Sequence, residues 1–105
     1  MELHTFSSLT AEFLSQYRGC MDQAEVPIIY FNPHAVALKH LPPLSPGQIY
    51  DAFGNEHAKV FSQSSEMVQY LHQLMDGNQR YNLLMMSSGN FDGTALDQFA
   101  DQLIK

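Results

Sequence analysis

Two uninterrupted apolar tetrapeptides, Ile28-Ile29-Tyr30-Phe31 and Leu83-Leu84-Met85-Met86, restrict what this chain folds into. A strand with one wet face alternates apolar and polar residues. A strand that is apolar at every position is covered on both faces, the usual state in a parallel sheet flanked by helices. The two runs therefore predict buried strands over Val26–Phe31 and Asn82–Ser87. Ala58–Phe61 reads as a shorter strand, and Met1–Thr5 as the tail of another.

Helical spacing fills the intervals. Phe13, Leu14, Tyr17, Met21 and Ala24 predict a first helix, capped by Ser8 or Thr10. Ser45-Pro46-Gly47-Gln48 has a capping residue, proline in the first turn and a return donor three residues on. It predicts a helix that stops near Gly54. Met67, Val68, Leu71, Leu74 and Met75 predict a third, opened by Ser64 or Ser65 and closed by Asp76-Gly77-Asn78. Leu96, Phe99, Ala100, Leu103 and Ile104 predict a fourth, with Thr94 as cap. Strand–helix alternation argues for one α/β domain over 1–105, with a three-layer, mostly parallel, Rossmann-like sheet and helices on both faces.

Charge narrows the function classes. Five Lys and Arg against eleven Asp and Glu give a net charge of −6, so the basic footprint of a nucleic-acid binder is missing and anionic membrane surfaces are disfavoured. No apolar stretch approaches the roughly 20 residues that cross a bilayer. One cysteine, Cys20, excludes an internal disulfide and a multi-cysteine metal site, and Met1–Thr5 has no signal-peptide character. The expectation is a cytoplasmic protein with Cys20 as a buried, inert thiol in the first helix.

In such folds ligands bind where the strands end, near the point at which strand order reverses. That rule selects His4–Ser8, Asn32–His40, Ser62–Ser64 and Ser87–Gly93. The last, Ser-Ser-Gly-Asn-Phe-Asp-Gly, combines glycines that allow close backbone approach with hydroxyl and amide groups ahead of a helix. On its chemistry alone it reads first as a strand-to-helix turn capped by Asp92 or Thr94, and it lacks phosphate-loop spacing and lysine. The candidate binding residues are His4, Ser7, Asn32, His34, Ser88, Gly89, Asn90 and Asp92. His34 and His40 form no zinc cage by themselves, and Met67, Met75, Met85 and Met86 read as core.

In order and spacing, Glu2–Leu9, Asn32-Pro33-His34 and Ser87–Gly93 resemble the C-terminal domain of Mur ligases, most of all the murein peptide ligase group. Those enzymes join amino acids or peptides to UDP-N-acetylmuramate. The resemblance implies an N-terminally truncated C-terminal domain, which closes over the nucleotide and holds an incoming diaminopimelate-containing peptide. It also implies ATP and Mg2+ as cofactors of the full-length enzyme. His4 stands where the family has a basic residue, and Ser7 aligns with a hydroxyl position. Asn90 and Asp92 replace family glycines. Because the phosphate loop and magnesium ligands belong to the family's central domain, this chain alone is expected to catalyse nothing and to hold no cofactor tightly. Two other readings stand beside it: a stand-alone nucleotide- or small-molecule-binding module, and an interaction domain marked by an exposed apolar patch.

Overall fold

The computed structural model describes residues 1–77, 80–87, 91, 98, 99 and 101. Three parallel strands, β1 (Glu2–Leu3), β2 (Ile28–Phe31) and β3 (Lys59–Phe61), form a sheet in the order β1-β2-β3. Around it lie α1 (Ala11–Leu14), α2 (Pro33–Leu38), α3 (Pro46–Phe53) and α4 (Ser64–Met75). The parallel sheet and the helices on its two faces agree with the layered α/β expectation.

β2 divides the core. Ile29 and Phe31 are buried on one face with Leu3, Leu9, Leu14, Val36, Ile49 and Phe53. Tyr30, on the other face, packs with Met67 and Leu71 of α4 and with Phe91 and Phe99. The alternation of side chains along a strand produces this division, and the apolar run supplies both faces. Each fully buried aliphatic or aromatic side chain contributes about 1.5–3 kcal/mol.

α3 begins as its sequence dictates. The Ser45 hydroxyl accepts from the Gln48 N–H at 3.2 Å, and the Gln48 side chain accepts from the Ser45 N–H at 2.8 Å. It ends at Gly54, whose φ of +64° is the left-handed conformation that glycine adopts without strain. The Arg18 side chain lies over that glycine, 3.2 Å from where a Cβ would stand.

Several expectations are corrected. The first helix does not run to Ala24: α1 ends at Leu14, a 3-10 turn covers Ser15–Tyr17, and Gly19 at φ +79° turns the chain away. Met21 still reaches the core, but from a turn. Cys20 is consequently exposed, not buried. β2 starts at Ile28, two residues after the expected Val26. Gln63, not Ser64 or Ser65, caps α4, without a side-chain bond. The expected loop Asn32–His40 holds α2, with Asn32 as cap and Pro33 in the first turn, a signature present in the sequence.

The predicted strand Asn82–Ser87 is not a strand. Met1 bonds only toward β2, with its amine donating to the Ile28 carbonyl and its carbonyl accepting from the Tyr30 N–H. Backbone direction alternates, so Glu2 is the residue of two-residue β1 that faces the other way. Its N–H donates to the Met86 carbonyl at 2.8 Å, a single bond where a ladder needs several. Of the predicted fourth helix, Gln98, Phe99 and Asp101 are helical, and the rest lies outside the described residues.

Replacing Ser45 by alanine removes one arm of the capping box. Urea unfolding should show a loss of about 1 kcal/mol at an unchanged slope, since caps contribute about 0.5–2 kcal/mol.

Candidate functional site

The register of β1 and β2 brings part of the expected site together. Leu3 pairs with Phe31, so His4 and Asn32 leave adjacent strand ends on one edge of the sheet. His4 and Asn32 are half-buried, while Ser7 and His34 are exposed. Local structure already engages some of these groups. Asn32 Oδ1 accepts from the His34 N–H at 2.8 Å, which is its role as cap of α2. The Ser7 carbonyl accepts from the Thr10 N–H and Oγ1 within a 3-10 turn. Ser88, Gly89, Asn90 and Asp92 lie outside the described residues, as does Thr94. Among the described residues there is no group of three or more His, Cys, Asp and Glu side chains suited to a metal ion.

Glu2, which the sequence reading left without a role, is buried beside this edge. Its carboxyl Oε1 accepts from the Ser87 hydroxyl and from the Phe91 N–H, the latter at 3.0 Å. Phe91 stands at φ +53°, a left-handed conformation that costs a bulky residue about 1–2 kcal/mol. Its bond to Glu2 and its ring, stacked on Tyr30 with centroids 6.5 Å apart, hold it there. The sequence leads one to expect positive φ of the glycines in this loop, which lie outside the described residues; among the described residues a buried aromatic, Phe91, takes it.

The cavity is elsewhere. It measures about 460 Å³ and opens where the strands begin, between the start of β2, the end of α4 and the segment 80–86. None of His4, Ser7, Asn32 and His34 lines it. All six methionines of the chain do: Met1, Met21, Met67, Met75, Met85 and Met86. Cys20 completes the set, so every sulfur atom of the protein belongs to a residue on this one wall. Glu25 and Arg80 are the charged residues of the lining. A methionine side chain is unbranched and polarisable, so a wall of them adapts to apolar ligands of varied outline. Pockets that take small molecules run about 300–1,000 Å³, mostly apolar with a few polar groups.

This wall is not visible in the spacing of the methionines along the chain. Met67 and Met75 lie on one face of α4, and Met85 and Met86 close the second apolar run. Only the fold brings Met1 and Met21 to the same place.

Burial and then the Asp22 carboxylate push the Cys20 thiol above its ordinary 9.0. Burial also pushes the Met1 amine down. No family model matches the chain, and no curated protein or solved structure matches it either. Among the described residues no helix is long and apolar enough to cross a membrane.

A raised thiol pKa means less thiolate at every pH below it, despite exposure. Alkylation of Cys20 by iodoacetamide should therefore be slower than that of free cysteine at neutral pH, with its midpoint above 9.0. A midpoint below that value contradicts the environment described.

Proposed function

We propose that this chain is a small-molecule-binding α/β module whose ligand is an apolar molecule held against the methionine wall. The observation that carries this reading is the gathering of all six methionines around one cavity of about 460 Å³. Its lining joins three separate stretches: the approach to β2, the second half of α4, and the segment 80–86. Arg80 and Glu25 supply the polar contacts that orient a ligand with a polar end. The reading takes up the small-molecule alternative and moves its site to the opposite end of the sheet.

The methionine methyl groups are their own probes. In chain labelled with 13C-methyl methionine, titration with an apolar dye such as anilinonaphthalene sulfonate should shift all six methyl signals together. Ala24→Trp, which fills the cavity from its rim, should weaken binding by about tenfold, or ~1.4 kcal/mol. Saturable binding that moves no methionine signal rejects the site.

A second reading belongs to the other edge. There the chain is the substrate-closing, incoming-peptide-binding domain of an ATP-dependent peptide ligase, completed by other domains that bind UDP-N-acetylmuramate. Its support is the adjacency of His4 and Asn32 at neighbouring strand ends and the Ser87 hydroxyl turned to Glu2 beside them. In a full-length enzyme, ATP with Mg2+ supplies the acyl phosphate; the part left to these residues is to hold a substrate carboxylate or phosphate. Titration with ATP–Mg2+ and with L-alanyl-γ-D-glutamyl-diaminopimelate should then shift the amides of His4–Ser8 and Asn32–His34. Shifts confined to the methionine cavity count against this reading and for the first.

A further inference from the structure

The six thioethers of the cavity wall differ in how far water reaches them. Met67 and Met21 are 2% and 8% exposed, and Met86 is 37% exposed. Met1, Met75 and Met85 fall between. Met86 therefore lines the cavity and also meets solutes from outside. Its carbonyl accepts from the Glu2 N–H, so a change at its side chain leaves that tie to β1 in place.

A thioether is an apolar group that an oxidant makes polar. A sulfur lone pair attacks one oxygen of a hydroperoxide, the O–O bond breaks and an S–O bond forms. The departing oxygen takes up the proton of the transferred one and leaves as water, or as an alcohol from an organic hydroperoxide. Sulfur loses two electrons and the peroxide gains them. The sulfoxide so formed is a strong dipole and a hydrogen-bond acceptor. Open water solvates it, whereas an apolar ligand strips it of water and offers no donor, which is costly. Every sulfur of the chain belongs to the lining of this one cavity, so a single oxygen atom at its rim changes the surface a ligand meets.

We propose that a hydroperoxide modifies this wall, entering at Met86, and that the resulting sulfoxide makes the cavity release its apolar ligand. The release rests on the cavity being an apolar binding site; the order in which the sulfurs are oxidised rests on exposure alone. Binding and oxidation are linked in both directions, so a bound ligand shields Met86 in turn.

Cys20 is the other sulfur open to peroxide, and its oxidation begins as a reversible sulfenic acid. Cys20→Ser removes that competitor, and peptide mass mapping then follows oxygen uptake through graded doses of hydrogen peroxide. Oxygen should enter at Met86 first and at Met21 and Met67 last. With the first oxygen, the affinity for anilinonaphthalene sulfonate should fall about tenfold. Methionine sulfoxide reductases should restore it, and dye bound beforehand should slow the uptake at Met86. Cys20→Ser with Met86→Leu, compared with its own untreated affinity, should lose nothing at that dose. Oxygen entering Met21 or Met67 first overturns the proposal, as does an unchanged affinity once Met86 is oxidised; either result leaves the binding site standing. An untreated chain that binds no dye at its methionines rejects the site itself, and the release with it.

Discussion

One buried carboxyl group, that of Glu2, ties Ser87 and Phe91 to the first strand of this fold. Glu2 accepts from the Ser87 hydroxyl and the Phe91 N–H, while its own N–H is bonded to the Met86 carbonyl. A buried carboxyl is costly unless its oxygens are hydrogen-bonded, and this one is. The bonds at Met86 and Ser87 tie the segment 80–87, which forms one wall of the cavity, to β1. Without that carboxyl Phe91, in a left-handed conformation and stacked on Tyr30, would lose the bond that its N–H makes to Glu2.

The rest follows from β2. Its alternate residues are buried in two separate clusters, one under α1, α2 and α3 and one under α4. The first cluster is larger and reaches the cavity through Met21 and the adjoining Met1. The second is shared between α4 and residues of the chain's last third, and it supplies more of the cavity wall, through Met67, Leu71, Met85 and Phe91. The two ends of the sheet thus differ in character. The end where strands stop carries imidazole, amide and hydroxyl groups, several of them engaged in caps and turns. The end where strands start is walled by thioethers and aliphatic chains.

Much of this architecture was legible before any coordinates. Ile28–Phe31 announced a doubly covered strand because every one of its positions is apolar. Ser45-Pro46-Gly47-Gln48 announced a helix because each residue type meets a specific need of a helix start. Asn32-Pro33 carries the same kind of signal for α2, but six helical residues leave too little periodicity to set the segment apart from a loop. Apolar spacing continues through Met21 and predicts a longer first helix than the chain forms, because the regular turns end before Gly19. The composition of Asn82–Ser87 predicts a strand, but a strand needs a partner, and the brevity of β1 is not visible in Leu83–Met86. The expected site rested on local motifs, and half of it lies outside the described residues. The methionine wall rests on which distant residues share a place, and spacing along one chain does not carry that information.

Native-state amide exchange of the parent chain and Glu2→Ala tests the tie most directly. If the carboxyl of Glu2 holds the segment in place, the Phe91 and Glu2 amides are protected in the parent and exchange rapidly in the variant. The Tyr30 and Lys59 amides, bonded within the sheet to Met1 and Pro27, keep their protection in both. Unchanged protection at Phe91 in a folded Glu2→Ala chain contradicts the account.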